Sequence, residues 1–592
     1  MNLLGISCGF HDAAAALVVD GVVVAAVEEE RLTRIKHDPS FPERAADTCL
    51  QIAGLEASDV DVVVLHEKPL GVMNRHLTTK LRGGPRAWPS LLTSTPRVLR
   101  EQLAVGHQVA SWFRRRSAAM PPLQYAEHHA SHASAAFYPS PFTEAAVMTV
   151  DGVGEWATST MGQGRGHRLS VDRELRFPDS IGLLYSAFTE YCGFRVNSGE
   201  GELMGLAPFG EPVYADRILD QVVDLRPDGS IRLNQKYFAY LRGRRTVNRR
   251  FEQLFGAPTR PLYSPPSRRE ADLARSIQVV LEEILLTMAA ELHRETGLDQ
   301  LCLAGGVGLN CVANGRILRD SPFTDLWVQP AAGDAGSAVG AALHTWHETL
   351  GNLRTPVEPD GMSGGFLGPA FGPDEVREFL DAEGVEYRTV PDRDELCRLV
   401  AERLDDGQVV GWFQGRMEFG PRALGHRSIL ADPRSPTVQG RVNTLVKERA
   451  SFRPFAPAVL ADRVAEYFEF DGFAPYMNLA MPVREDLRVA HPAPDDPDDL
   501  AAVVAQVRST VPAITHVDYS ARVQTVSAAT NPEFAQLIEA FARRTDCPVV
   551  LNTSFNSRDE PVVCTPADAY RTFRRTGLDL LVLEDCVVER EA

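Results

Sequence analysis

Three apolar segments, each followed by a glycine-bearing turn, constrain the fold of this chain more than any other feature. Glycine allows the backbone to approach a phosphate group closely, and free N–H groups in such turns bind the anion. A single turn of this kind is more typical of a plain loop. Three of them, widely spaced, indicate an α/β domain with a nucleotide cleft. They are residues 3–7 before 9–12, 145–150 before 151–154, and 300–303 before 304–310.

The length of the chain, 592 residues, exceeds what one ordinary hydrophobic core supports, so two large domains are expected. A long helix is predicted over about residues 268–296, where apolar residues recur at helical spacing. Residues 351–368 are rich in glycine, proline and polar residues, which is typical of a linker. The predicted domains are therefore 1–355 and 369–592, joined by a linker at 356–368.

Composition narrows the class of protein. With 61 Lys and Arg against 79 Asp and Glu, the net charge is −18, which argues against a nucleic-acid partner. The nine cysteines show no paired spacing, and an odd number of scattered thiols favours a reducing, cytoplasmic location. No apolar run reaches the roughly 20 residues of a membrane helix. We therefore expect a cytoplasmic protein with neither nucleic acid nor membrane as a partner.

A histidine-rich stretch, EHHASH at 127–132, predicts a metal site. His128 and His132 are four residues apart, which places both imidazoles on one face of a helix. Two such histidines bind one metal ion when carboxylates complete the set. Asp151, in one of the glycine turns, and Asp334 are the candidates for these carboxylates. The alternative interpretation is a histidine-rich surface turn.

The second half of the chain concentrates cations in semi-apolar loops, although the protein is acidic overall. Arginine grips phosphate oxygens in a bidentate manner, and lysine adds a mobile point charge. Interleaved phenylalanines favour an enclosed anion site over solvated surface arginines, and such a site would exclude water from a labile intermediate. The residues concerned are Arg422, His426, Lys447, Arg449, Arg453, Arg522 and the nearby Asn552.

Taken together, these stretches resemble the antibiotic and nodulation-factor O-carbamoyltransferases, whose members modify tobramycin, cephems, novobiocin-like compounds and ansamycins. The resemblance extends from residue 9 to residue 556, and its second-half motifs are highly specific. The matching stretches are GFHDAAAAL, HHASHASAAFYPSPF, VDGVGEW, GELMGLAPFG, GGVGLNCVANG, GRMEFGPRALGHRSILADPR, VKERASFRPFAPAVL, HVDYSARVQTV and PVVLNTSFN.

The resemblance implies an α/β protein of two domains. The first would be actin/sugar-kinase-like, similar to threonylcarbamoyl transferases, and the second would be YrdC-like. In the implied reaction the second domain hydrolyses carbamoyl phosphate to carbamate, which attacks the α-phosphate of ATP to give carbamoyladenylate and pyrophosphate. The first domain then transfers the carbamoyl group to a hydroxyl of a small natural product. ATP with Mg²⁺ is thus a co-substrate.

The resemblance also implies roles for individual residues. His128, His132, Asp151 and Asp334 would hold Fe²⁺ or another divalent metal ion. His11 or Asp12 would lie near the acceptor hydroxyl, with Asp12 as general base. The remaining residues would handle nucleotide, phosphate or carbamoyl groups: Lys447, Arg453, Arg422, Arg449 and Arg522 as cationic ligands, His426 and Asn552 in orientation, and Gly305, Gly306 and Asn310 beside adenosine.

One position departs from the pattern of these enzymes. Relatives often have a lysine where Glu202 stands, and because a glutamate cannot contact phosphate favourably, that loop is assigned no catalytic role. The implied partners are carbamoyl phosphate, ATP and a small alcohol; a homodimer is a further hypothesis. The sequence shows no dense acidic cluster for a polycation, which favours a glycosylated or macrocyclic polyketide acceptor over an aminoglycoside.

Three other functions compete with this interpretation. An actin-fold metabolite kinase would explain the glycine turns but neither the histidine pair nor the cations, and it would release ADP instead of pyrophosphate. A threonylcarbamoyl enzyme acting on tRNA would need a basic surface that the acidic chain does not indicate. A nucleotide-sensing scaffold would bind ATP without turnover of carbamoyl phosphate.

Overall fold

The computed structural model describes residues 1–82, 88–241, 245–449, 452–491, 496 and 498–590. The chain divides into two compact units: the first comprises Met1–Glu29 and His37–Gly361, and the second Glu30–Lys36 and Met362–Ala592. The division after Gly361 lies within the residues 356–368 proposed as a linker. The membership of Glu30–Lys36 in the second unit is a feature that sequence patterns did not reveal.

The first unit begins with a five-stranded sheet in the order β3-β2-β1-β4-β5. Its first three strands form an antiparallel meander, and β4 and β5 continue the sheet in parallel. Small and β-branched apolar residues fill β1, β2 and β4, which are almost completely buried. The strands are β1 Asn2–Ser7, β2 Ala14–Val19, β3 Val22–Glu28, β4 Val62–Leu65 and β5 Leu123–Tyr125.

A second five-stranded sheet in this unit repeats the topology of the first, in the order β12-β11-β6-β7-β8. Again three strands form a meander and two follow in parallel. This duplication confirms the α/β class and places the glycine turns after β1 and β6 in equivalent positions. The strands are β6 Glu144–Val150, β7 Ala157–Arg165, β8 Arg168–Arg176, β11 Gln300–Ala304 and β12 Asp325–Val328, and β9 Val223–Leu225 pairs with β10 Ile231–Leu233 in a separate ribbon.

Helices cover these sheets, and close helix packing fixes the site described below. A Cβ on Gly340 of α12 would lie 1.8 Å from the carbonyl oxygen of Ser131 in α5, so the two helices touch through backbone. The helices of the first unit are α2 Glu43–Ala53, α3 Pro69–Arg82, α4 Trp88–Arg115, α5 His128–Phe137, α6 Ile181–Tyr191, α7 Glu200–Leu206, α8 Ala215–Gln221, α9 Arg249–Phe255, α10 Arg268–Thr296, α11 Cys311–Asp320 and α12 Asp334–His344. All residues of α1, Glu29–Thr33, except the first belong to the second unit.

The second unit is built on a nine-stranded sheet in the order β13-β21-β20-β14-β15-β19-β16-β18-β17. Only the pairs β14–β20 and β16–β18 among its described strand pairs are parallel. The central strands are fully buried and rich in Val, Leu and Trp. The strands are β13 Arg388–Thr389, β14 Val410–Phe413, β15 Arg427–Ala431, β16 Ala456–Leu460, β17 Leu479–Pro482, β18 Ser520–Val526, β19 Val549–Ser554, β20 Leu580–Leu583 and β21 Cys586–Glu589.

Amphipathic helices pack on this sheet, and α14 and α17 also pack on each other. Among the described residues, no helix combines the length and apolar character needed to cross a membrane. The helices of the second unit are α13 Pro373–Ala382, α14 Arg393–Asp405, α15 Val438–Arg441, α16 Leu500–Val504, α17 Pro532–Thr545 and α18 Pro566–Arg575.

Candidate functional site

The predicted histidine pair opens helix α5 of the first unit. His128 and His132 are buried, and their Nε2 atoms lie 3.1 Å apart because residues four positions apart share a helix face. His132 presents Nδ1 to the Ser337 hydroxyl at 3.2 Å. A partner on one ring nitrogen orients the other, so Nε2 is the atom available to a ligand.

Two carboxylates from separate elements face this pair. Asp151 directly follows β6, and its Oδ2 lies 2.9 Å from Nε2 of His128 and 3.5 Å from Nε2 of His132. Asp334 begins α12, and its Oδ1 lies 3.7 and 3.5 Å from the same two atoms. One ligand atom from each of the four residues lies within 4.8 Å of all the others. The structure thus brings together the four residues predicted as metal ligands, here called the His/Asp group.

The two carboxylates of the His/Asp group favour positive charge on their histidine neighbours. Burial opposes a charged imidazole, yet the hydrogen bond to Asp151 and the charge of Asp334 raise the pKa of His128 to about 10. Burial likewise opposes ionisation of Asp151, but both histidines bring the pKa of that carboxyl well below its usual value. Two buried carboxylates need compensating cations. Two imidazole nitrogens and two carboxylate oxygens form a donor set that suits a divalent transition-metal ion.

The turn between β1 and β2 carries His11 and Asp12, and His11 lies beside the His/Asp group. Nε2 of His11 lies 3.8 Å from Oδ2 of Asp334, so this histidine borders the His/Asp group. The Asp12 carboxylate lies 2.9 Å from Nδ1 of His11 and 2.7 Å from Nδ1 of His37. Asp12 adopts a left-handed backbone conformation, with φ of 51°. This turn therefore holds a carboxylate between two imidazoles.

The glycine turn after β11 packs against the end of β6. Gly305 has a φ of 95°, and a Cβ there would lie 2.3 Å from the Val150 carbonyl oxygen, so only glycine is accommodated. The N–H of Gly306 donates to Oδ1 of Asp151 at 3.1 Å. Asn310 caps α11 by accepting from the Ala313 N–H at 3.0 Å. Gly305 and Gly306 thus border the His/Asp group, whereas the amide of Asn310 is engaged within the fold.

The second unit holds a buried lysine among neutral oxygen atoms. Nζ of Lys447 donates to the carbonyl and hydroxyl groups of Ser554 and, at 2.7 Å, to Oδ1 of Asn556. Burial brings the pKa of Lys447 well below its usual value, and the nearby charges of Arg449, Lys36 and Arg453 lower it further. Cations gathered in this way favour an anionic ligand.

The arginines of this group are held by a shared asparagine. Oδ1 of Asn443 accepts from Nε of Arg449 at 2.8 Å, and its Nδ2 donates to the Arg453 carbonyl at 3.0 Å. The Arg449 guanidinium also lies 5.0 Å from the centre of the Phe455 ring. Three of the predicted anion-binding residues therefore converge. Together with Lys36 they are named the Lys447 cluster: Lys36, Lys447, Arg449 and Arg453.

His426 and Asn552 are buried in the second unit. His426 ends the loop before β15, and Asn552 lies on β19. The His426 ring stacks on Phe366 with a centroid separation of 3.7 Å, and its Nδ1 lies 2.6 Å from the Arg416 carbonyl oxygen. Asn552 on β19 donates to the Ala423 carbonyl oxygen at 3.1 Å. These contacts brace the loop that precedes β15.

Arg422 and Arg522 are carried by two other elements of the second unit. Arg422 belongs to the loop between β14 and β15, and Arg522 lies on β18 opposite Ala480 of β17. Both side chains are half-buried. Their contribution to anion binding stays a prediction.

Comparison with known protein families decides the class of protein. A family model described as the carbamoyltransferase N-terminus matches residues 2–343, and one described as the carbamoyltransferase C-terminus matches residues 401–590. The chain belongs to the carbamoyltransferase family. The resemblance drawn from the sequence motifs is thereby confirmed.

Curated relatives of this carbamoyltransferase support the assignment over most of the chain. An uncharacterized protein of Synechocystis sp. is 52% identical and covers 100% of this chain and 97% of its own length. A nodulation protein, NolNO of Sinorhizobium fredii, is 37% identical over 98% of this chain and 79% of its own. A 3'-hydroxymethylcephem-O-carbamoyltransferase of Streptomyces clavuligerus is 32% identical over 70% of each chain.

Two residues of this carbamoyltransferase join the candidate sites although sequence patterns did not single them out. Lys36 is distant from Lys447 along the chain, but the segment Glu30–Lys36 belongs to the second unit. Its charge therefore acts on Lys447. His37 follows Lys36 directly but belongs to the first unit, where it contacts Asp12. The shared signal is the RIKHD stretch at 34–38, which places two polar residues side by side.

Proposed function

We propose that this carbamoyltransferase uses ATP and carbamoyl phosphate to carbamoylate a hydroxyl group of a small molecule. The observation that carries the proposal is the presence of two chemically different sites, one in each unit. The Lys447 cluster is suited to phosphate groups, whereas the His/Asp group is suited to a divalent cation. A metabolite kinase needs one nucleotide site and does not explain why both the Lys447 cluster and the His/Asp group are present.

In the second unit, the Lys447 cluster would neutralise the phosphates while water hydrolyses carbamoyl phosphate to carbamate and inorganic phosphate. An oxygen of carbamate then attacks the α-phosphorus of Mg²⁺-bound ATP, the bond to pyrophosphate breaks, and carbamoyladenylate forms. Cations at fixed positions stabilise the negative charge that develops on the phosphate oxygens. Lys447 and Arg453 are the residues on which this half-reaction depends, with Arg449 beside them and Arg422 and Arg522 as further phosphate ligands.

In the first unit, the acceptor hydroxyl attacks the carbamoyl carbon and AMP leaves. Fe²⁺ or another divalent ion held by the His/Asp group would supply Lewis-acid polarisation of an oxygen atom. His11, whose Nε2 lies 3.8 Å from Oδ2 of Asp334, would take the hydroxyl proton at that nitrogen. In the neutral imidazole, Nδ1 of His11 would donate to Asp12 and Nε2 would keep a lone pair for the proton, so we assign Asp12 an orienting role beside its predicted role as base. Burial opposes charge on His11, but Asp334 and Asp12 raise the pKa of its imidazole to about 9, so the neutral form is favoured at alkaline pH.

The acceptor is proposed to be a small natural product. A cephem carbamoyltransferase and nodulation proteins among the relatives are consistent with a small-molecule alcohol. A polyketide acceptor, a homodimeric state and a cytoplasmic location remain part of the proposal. The nine free, buried cysteines are compatible with a reducing location.

The deciding experiment is exchange of labelled pyrophosphate into ATP. Exchange that depends on carbamoyl phosphate is expected, together with a gain of about 43 Da on an acceptor from an alcohol panel, which is one carbamoyl group. Release of ADP without exchange would instead favour the kinase, and ATP binding without any turnover would favour the nucleotide-sensing scaffold. Either result overturns the proposed reaction.

A further inference from the structure

Glu155 connects the loop after β6, which carries Asp151, to α5, which carries His128 and His132 of the His/Asp group. Its Oε1 accepts from the backbone N–H of Lys68 at 2.7 Å, and both carboxylate oxygens accept from the N–H of His128, at 3.2 and 3.1 Å. Lys68 directly precedes α3, and His128 is the first residue of α5. One carboxylate therefore satisfies backbone donors at the starts of two helices.

The surroundings of Glu155 leave its side chain little freedom. A Cβ on Gly71 would lie 2.7 Å from Cγ of Glu155, and one on Gly154 would lie 2.8 Å from Cβ of His128. Arg75 of α3 also donates to the Gly154 carbonyl oxygen. The loop that begins with Asp151 is thus fastened to α3 and to the first turn of α5.

Resting on the proposed metal role of the His/Asp group, we propose that Glu155 is a positioning residue for that group. By fixing the N–H of His128 relative to the loop that carries Asp151, Glu155 sets the rotation of the first turn of α5. The rotation determines whether Nε2 of His128 meets Oδ2 of Asp151. Outer partners of this kind typically change metal affinity by about 10–100-fold when removed.

The position of the carboxylate, and not only its charge, is what the geometry requires. In Glu155→Gln an amide oxygen remains in place to accept from both N–H groups. In Glu155→Asp the charge remains, but the shorter side chain cannot reach them. Gly71→Ala keeps Glu155 intact and displaces it through the added methyl group.

The matched control is Glu127→Gln. Glu127 stands next to His128 at the same helix start, but its side chain caps no N–H and pairs with the Lys68 ammonium at 2.9 Å. A general loss of negative charge near α5 would act through either glutamate. Specific positioning acts through Glu155 alone.

The test is titration of the full-length protein with Co²⁺, followed by visible absorption, together with hydrogen exchange of the Lys68 and His128 amides. We expect Co²⁺ affinity to fall about 10–100-fold in Glu155→Ala and in Glu155→Asp, and to stay within about threefold of wild type in Glu155→Gln and Glu127→Gln. Gly71→Ala should weaken binding and alter the absorption spectrum. Exchange of the two amides should accelerate about tenfold in Glu155→Ala.

Wild-type Co²⁺ affinity and amide protection in Glu155→Ala would overturn the positioning role. Failure of the wild-type protein to bind Co²⁺ would count against the proposed metal site, and amide exchange in Glu155→Ala and Glu155→Gln would still decide whether Glu155 fixes α5. If Glu155→Gln exchanges its amides as fast as Glu155→Ala, positioning by the acceptor oxygen is refuted.

Discussion

The Nε2 atoms of His128 and His132 face each other at 3.1 Å in the first unit. Two imidazole lone pairs repel at this distance unless a proton or a cation lies between them. Since Asp151 approaches both nitrogens, the histidines share one electrostatic environment and do not act separately. This coupling predicts how the two histidines respond to substitution.

Substituting either histidine should abolish the same function. We expect His128→Ala and His132→Ala each to lower divalent-metal affinity by at least about 100-fold, because loss of a direct ligand exceeds the usual cost of losing an outer partner. Carbamoyl transfer to the acceptor should fall in parallel, and the double variant should be little worse than either single one. Metal analysis and product mass spectrometry measure both effects.

Pyrophosphate exchange serves as the internal control for these variants. Because the Lys447 cluster belongs to the other unit, exchange should stay at the wild-type level, also after treatment with a chelator that spares Mg²⁺. His107→Ala, an exposed position on α4, is the matched control and should leave transfer unchanged. Loss of exchange in the histidine variants would contradict the proposed division of labour.

Removing a cation from the Lys447 cluster should stop adenylate formation without unfolding the protein. Lys447→Ala and Arg453→Ala are expected to lower pyrophosphate exchange by at least about 100-fold, since a charged hydrogen bond contributes about 1.5–3 kcal/mol and more when it stabilises developing charge. Circular dichroism should show an unchanged fold. Arg484→Ala, an exposed arginine paired with Asp486 in the same unit, should exchange normally; a comparable loss there would refute a specific role.

Binding of a phosphate anion should be coupled to proton uptake at Lys447. Burial holds the pKa of Lys447 below its usual value in the free protein, and a nearby anion would raise it. Between these two pKa values, binding therefore takes up protons, and pyrophosphate affinity falls as the pH rises. Calorimetry in buffers of different ionisation enthalpy, over a series of pH values below the normal lysine pKa of about 10.4, measures this uptake.

Lys447→Arg is the control for proton uptake, because guanidinium remains charged throughout this pH range. The variant should bind pyrophosphate with reduced uptake and a flatter pH dependence. Equal uptake by both proteins would assign the titration to another group.

Local patterns in the sequence predicted much of the fold. The helix expected over 268–296 is α10, which a capping box at Ser267 begins and Gly297 ends. The strands before the glycine turns are β1, β6 and β11, because runs of buried apolar residues determine strands locally. The grouping of Glu30–Lys36 with the second unit depends on contacts between residues hundreds of positions apart, such as Arg34 with Pro561 and Val562. No periodicity encodes such contacts.

The residues of the candidate sites were also only partly predictable from local patterns. Helical spacing alone placed His128 beside His132, but the pairing of Asp151 with Asp334 came from the resemblance and from chemistry that favours carboxylates. His37 and Lys36 were missed because each reaches its site through tertiary folding. His426 and Asn552 were expected near phosphate, and the structure shows that their side chains also brace the loop before β15.

The contact between α5 and α12 gives a final prediction, which links packing to the site. A Cβ at Gly340 would lie 1.8 Å from the backbone oxygen of Ser131, so Gly340→Ala must separate the two helices. Overpacking of this kind costs about 1–3 kcal/mol of unfolding free energy, more than the roughly 0.5–1 kcal/mol that alanine gains over glycine in a helix. Because Asp334 begins α12, the separation should also weaken metal binding.

Gly201→Ala in α7, where the added Cβ meets no atom within 4 Å, should be neutral or stabilising. Urea unfolding and Co²⁺ titration of both variants test this; equal stability and affinity of Gly340→Ala and wild type would mean that close packing of α12 on α5 does not hold Asp334 in place.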